Sequence, residues 1–189
     1  MKYFLLVCLF ALIGILPALA QDTPPSTHVF IPADNGSTIG FGIKNMGFNT
    51  KGSLSGLQGR IVFDPKNPAG ASFDVSVDAN TISTDNDMRD SHLKKEDYFD
   101  VANYPRIRFV SAGITPSGKN GSYTITGKLT IKNTTKDISF PFIAAPIGAD
   151  YVFSGSFKIN RRDFGIGGSS TISNELTVSL SVLATHSSH

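Results

Sequence analysis

The chain has 189 residues, with 17 Lys and Arg against 15 Asp and Glu, one cysteine, and no tryptophan. A net charge of +2 excludes the basic footprint of a nucleic-acid binder. The lone cysteine, Cys8, falls in the leading apolar run, so thiol catalysis, disulfide exchange and cysteine-ligated metals are excluded from the rest.

The chain opens on Lys2, an apolar run from Phe4 to Leu16, and the small-x-small step Ala18-Leu19-Ala20. This pattern reads as an export signal over 1–20, cleaved near Ala20/Gln21, and predicts a periplasmic or secreted protein. The run is too short to span a bilayer and is followed by polar residues, so no integral membrane span is expected in the mature chain. Val7 before Cys8 is too large for a lipidation site. Residues 21–27 read as a flexible leader, 28–185 as one domain and 186–189 as a tail.

Within the domain, apolar residues recur with period two, the mark of half-buried strands. The runs begin with Ile39-Phe41-Ile43 and Ile61-Phe63, then Phe73, Val75, Val77 and Ala79. After residue 105 come Ile107-Phe109, Tyr123-Ile125 and Ile138-Phe140-Phe142. The last two are Tyr151, Phe153, Phe157 and Ile159, and Leu176, Val178, Leu180 and Val182. Turn-formers separate them: Asn35-Gly36, Asp64-Pro65, Asn67-Pro68, Pro116-Ser117-Gly118, Asn120-Gly121 and Gly148. The fold class is therefore all-β, with about eight antiparallel strands forming a sandwich or, preferably, an extended closed barrel without free edges. Alternation assigns faces but does not separate a filled barrel from a hollow one.

One segment breaks the pattern. Residues 84–100 are charge-dense and predict a short helical insertion over a barrel mouth, capped by Asp85 or Asp87. Glu96 stands twelfth from Asp85, but Arg89 and Asp90 occupy the places where a calcium loop needs an oxygen donor and glycine, so no metal site is assigned. Arg89, Asp90 and His92 could do acid–base work if Asp90 oriented His92, yet no nucleophile motif accompanies them. Pinning of the insertion by Arg89 and Asp90 is the simpler reading. Arg161-Arg162-Asp163-Phe164-Gly165 could grip an anionic head-group or hold a strand-to-loop transition by an Arg–Asp pair. Lys44, Lys51, Arg106 and Arg108 read as solvated strand faces or ends.

The blocks Thr84-x-Asn86-x-x-Arg89-Asp90-x-His92-Leu93, Asp97-Tyr98-Phe99-Asp100-Val101, Tyr104-Pro105 and Phe109 resemble the YceI-like family. Flanking blocks agree in order: Phe41 and Gly56 to Asp64 before, Gly127 to Ile131 and Arg161-x-Asp163-Phe164-Gly165-Ile166 after. The likeness runs over about residues 27–184. It implies a lipocalin-like barrel with a long apolar pore that binds polyisoprenoids, isoprenoid quinones, prenyl pyrophosphates or other long amphiphiles. It implies no catalytic residues and no cofactor beyond such a bound lipid, and it allows a homodimer. Where the family has glycine after the Leu-Thr-Ile strand, this chain has Asn133, which is expected to supply the left-handed turn.

On this reading the pore wall is Phe41, Phe73, Val75 and Phe109 from the first half, with Phe140, Phe142, Phe153 and Phe157 from the second. Arg89, His92 and Arg161 are the head-group candidates, and Asp90 and Asp163 are structural residues at the mouth. The expected function is a carrier of a long amphiphilic lipid. Its rivals are an enzyme using Arg89, Asp90 and His92 on such a lipid, and a filled barrel that binds another envelope protein.

Overall fold

The computed structural model describes residues 28–118, 121–167 and 171–187. The expected export signal and leader lie outside them. Eight strands follow the chain: β1 (Val29–Asn45), β2 (Phe48–Val62), β3 (Ser72–Ser83), β4 (Arg106–Pro116), β5 (Ser122–Ile131), β6 (Thr134–Ile147), β7 (Asp150–Asn160) and β8 (Ile172–His186). Each pairs antiparallel with the next, and β8 returns to β1, so the sheet closes as an up-and-down barrel. A helix, α1 (Asp87–Leu93), lies between β3 and β4, and a 3-10 turn (Arg161–Phe164) lies between β7 and β8. β8 extends to His186, one residue into the stretch read as a tail.

This meander puts four of its seven connections at one end and three at the other. The β1–β2 turn, the 84–105 insertion, the β5–β6 turn and the 3-10 turn share one end, called here the insertion end. The opposite end holds the other three connections, the start of β1 and the finish of β8. Outward faces carry ion pairs across neighbouring strands: Arg108 with Asp74 at 2.6 Å, Lys128 with Asp137 at 2.9 Å and Lys158 with Glu175 at 2.8 Å. Such charges on the outer wall are the reverse of a lipid-facing apolar belt. No helix of the described residues is long and apolar enough to cross a membrane.

Two bulges change the facing of residues along long strands. Asn35-Gly36 does not reverse the chain as expected. It sits inside β1, where the register shifts between Ala33 and Thr38 and Gly36 takes φ +85°. An extra residue in a strand needs this backbone as much as a turn does, so the dipeptide alone does not distinguish them. Ser37 seals the bulge, its hydroxyl donating to the Ala33 carbonyl and accepting from the Leu183 N–H at 2.8 Å. In β2 the register shifts between Ser55 and Gln58, with Gly56 at φ +72°. The Asp34 carboxylate accepts from the Gly56 and Leu57 N–H groups at 3.0 and 2.8 Å. Arg106 is not a solvated strand end: half-buried, it donates to the Gly56 carbonyl and the Ser76 carbonyl, both at 2.8 Å. The bulge lets both Leu54 and Leu57 face inward, which strict alternation would forbid.

The β5–β6 turn also differs from expectation. Lys132, rather than Asn133, adopts the left-handed conformation at φ +55°. Its ammonium donates to the Glu96 carbonyl at 2.8 Å, which ties the turn to the insertion.

The opposite end of the barrel is solid. Phe63, fully buried, meets Tyr123, Tyr151 and Phe153 edge-on, each at a centroid distance of 5.3 Å. Phe30, Ile61, Phe73 and Phe142 complete this plug. Edge-to-face aromatic packing of this density leaves no passage for a chain molecule. A smaller cluster at the insertion end packs Leu129, Ile131 and Ile159 against Phe164 and Ile166 of the 3-10 turn and its exit.

Candidate functional site: an off-centre apolar cavity

Between these two clusters lies a cavity of about 500 Å³. The burial pattern shows where it sits. Inward residues of β5, β6 and β7, such as Leu129, Phe140 and Ile159, are buried. Those of β1, β2 and β8, such as Ile39, Phe41, Leu54, Leu57 and Leu180, are only half-buried although they face the interior. Inward apolar groups left half-exposed in a closed barrel border empty space, so the void lies mainly against β1, β2 and β8 and reaches Val75, Phe109 and Phe157 on other strands. Its volume falls within the roughly 300–1,000 Å³ of pockets that enclose small organic ligands.

All eight residues named as the pore wall border this cavity, but they divide into two kinds. Phe73, Phe140, Phe142 and Phe153 are buried and packed on other rings, Phe73 on Phe153 at 5.1 Å for example. Phe41, Val75, Phe109 and Phe157 are half-buried, with part of each side chain turned to the void. The cavity ends at Ile61, Phe73 and Phe153 of the aromatic plug. The apolar pore expected from the family resemblance is thus a chamber closed at the plugged end.

The insertion forms its rim. Asn86, Met88, Arg89, His92 and Leu93 border the cavity beside Tyr98 and Phe99. The cap of α1 is Asn86, not Asp85 or Asp87: its side-chain oxygen accepts from the Arg89 N–H at 2.9 Å. Asp87 and Asp90 then occupy the first turn, where the helix dipole favours negative charge.

Thr84, almost fully buried, holds the insertion in place. Arg89 donates through Nε to the Thr84 hydroxyl and through Nη2 to the Thr84 carbonyl, both at 2.7 Å. Asp90 Oδ1 accepts from the Thr84 N–H at 2.9 Å and from the Thr84 hydroxyl. That hydroxyl bond, ahead of the backbone bond and the charges of Arg89 and Lys94, holds the Asp90 carboxyl below its ordinary range. Asp90 therefore faces Thr84. His92, two residues on, projects to another side of the helix and is exposed, so the Asp90–His92 dyad of the enzymatic rival is not assembled. The sequence marks Thr84 as part of a family block but gives it no role, because an uncharged residue between strand and helix carries no local signal of its two partners.

Arg161 is almost fully buried, and its guanidinium is given over to backbone. Nε donates to the Ser173 carbonyl at 2.9 Å, Nη2 to Ile172 at 3.1 Å, and Nη1 to Ile166 at 3.0 Å and to Gly167. Burial, then the charge of Arg162, lowers its pKa. These four carbonyls give Arg161 the role of a clamp closing the 3-10 turn onto β8, in place of the head-group role expected of it. Asp163 is exposed in the first turn of the 3-10 segment, which ends on Gly165 at φ +65°.

The fold and the chamber define a lipocalin-like barrel with a ligand-sized apolar interior. The YceI-like domain family matches residues 32–184, and the chain belongs to that family. A UPF0312 protein of Vibrio cholerae serotype O1 is 32% identical over 152 residues, covering 75% of this chain and 80% of that one. Among solved structures, BcnA of Burkholderia cenocepacia superimposes with a TM-score of 0.77 at 28% identity, covering 82% of this chain and 99% of that chain. A polyisoprenoid-binding domain from Saccharophagus degradans, implicated in plant cell wall breakdown, shares the fold with a TM-score of 0.67. Its identity is 14%, over 85% of this chain and 99% of that one.

Proposed function

We propose that the protein is a periplasmic carrier of a long apolar amphiphile, whether polyisoprenoid, isoprenoid quinone or fatty lipid, and performs no chemistry on it. The observation that carries this reading is the blind chamber itself, whose wall includes inward apolar residues left half-exposed to the void. A tail entering it leaves water at about 25 cal/mol per Å² of apolar area, before the cost of ordering the tail. The head-group stays at the rim, where Arg89 Nη1 has no partner among the described residues and His92 is exposed. The fold shared with a polyisoprenoid-binding domain supports the ligand class, and the export pattern at the start of the chain supports the compartment.

The test is mass spectrometry of organic extracts from protein purified after export. A long-chain lipid recovered unmodified and near one per chain is expected. Extracts empty of lipid, with no uptake of added prenyl or acyl chains, would leave the filled-barrel rival standing. Turnover of added lipid that is lost on His92→Ala would favour the enzymatic one.

A further inference from the structure

The tip of the β1–β2 hairpin displays what a soluble barrel ordinarily hides. Met46 is 72% exposed and Phe48 79% exposed, at the tight turn that joins β1 to β2 at the insertion end. Met46 is held at φ +50° and Gly47 at φ +83°. A left-handed conformation is unfavourable for a methionine, and exposure of a large apolar side chain adds a second cost. Neither is needed to close a hairpin, for which Asn-Gly would serve. The Met46 N–H donates to the Thr171 carbonyl at 2.9 Å, so the tip is braced against the β7–β8 connection.

Its charge is one-sided. Lys44 and Lys51 flank the tip, and no acid lies between them. Met88 on α1 is as exposed, but Asp85 and Asp87 stand beside it, so the helix does not share this character. A two-residue tip also offers far less than the roughly 1,000 Å² a stable protein interface buries. An apolar point between lysines instead suits the boundary of an anionic bilayer, with side chains among the acyl chains and ammonium groups at the phosphates.

We infer that the Met46–Phe48 hairpin tip is a membrane-docking wedge, which seats the insertion end of the barrel, and with it the rim of the chamber, on an anionic lipid surface. The wedge stands on its own observations; its use, loading or release of cargo at the bilayer, rests on the carrier reading above.

The experiment is co-sedimentation of the full mature chain with vesicles of phosphatidylethanolamine and phosphatidylglycerol, and with phosphatidylcholine alone. Phe48→Ser is expected to weaken partitioning about tenfold or more on either surface. Lys44→Gln with Lys51→Gln should remove the preference for the anionic vesicles, about fivefold per lysine, and leave binding to phosphatidylcholine in place. None of the three positions borders the chamber, so lipid recovered in extracts should be unchanged in both variants. Wild-type protein that stays in the supernatant, or Phe48→Ser that sediments like wild type, overturns the wedge even if extracts contain lipid. A self-association abolished by Phe48→Ser, with no vesicle binding, overturns it in favour of a second copy. Hairpin-dependent sedimentation with empty extracts upholds the wedge and removes the carrier reading instead.

Discussion

Leu54→Trp separates a ligand chamber from a packing defect. Leu54 borders the cavity from β2, paired with Ile39, and belongs to neither packed cluster. Tryptophan adds about six ring atoms there, and each methylene of a tail displaced from the chamber forfeits ~0.8 kcal/mol. The sum is about 5 kcal/mol; if the tail recovers half by rearranging, the net loss is roughly 2–3 kcal/mol, or a 30–150-fold weaker Kd. The same substitution in a filled core would cost about 1–3 kcal/mol of stability through overpacking. Beside a void of about 500 Å³ the indole has room, so Tm should stay within a few degrees of wild type. Displacement of a fluorescent acyl or prenyl probe, read with a thermal melt, gives both quantities. Unaltered probe affinity in a folded variant would refute the chamber as the binding site, and collapse of Tm would refute the void.

Phe63→Ala should cost about 3–5 kcal/mol, because the ring is fully buried among three others, whereas Phe41→Ala should cost under about 2, since part of its side chain already faces the void; equilibrium urea unfolding compares them. Gly52→Ala should lower both stability, by about 1–3 kcal/mol, and probe affinity. A Cβ there would lie 2.3 Å from Phe41 Cζ and 2.7 Å from the Ser83 carbonyl oxygen, so the ring must turn into the chamber and the strands must shift. Asp90 gives a pH signature. Its folded pKa is depressed, so its charge stabilises the protein above the unfolded carboxylate value of about 3.9, and that contribution fades as pH falls through the lower folded value. The Tm difference between wild type and Asp90→Asn should therefore be full above about pH 5 and shrink below about pH 4.

The strands were legible because one face of each meets an apolar interior, and that requirement writes itself as period two. The helix was legible as an interruption, though not its cap, since Asp85, Asn86 and Asp87 are all competent and only the backbone angles choose Asn86. The bulges were hidden: Asn35-Gly36 carries the same backbone preference whether the chain reverses or merely shifts phase. The state of the interior was hidden for a deeper reason. Phe63 and Phe41 obey the same alternation, yet one is met by three rings and the other faces open space, and that difference depends on what the far wall contributes. Arg161 and Arg89 likewise look alike as charges, but one donates to four backbone carbonyls and the other to the hydroxyl and the carbonyl of Thr84.

Barrel closure falls to the two strands farthest apart in the chain, where Phe30 pairs with His186 and Phe41 with Val178. Contacts over such separations form late, because a long loop must be ordered before they return any stabilisation. Until the final strand docks, Ile39, Phe41 and Leu54 have no opposite wall, and the chamber does not exist. A nascent polypeptide that lacks its last strand therefore has no chamber to fill. Nothing can occupy the chamber before the completed chain has folded.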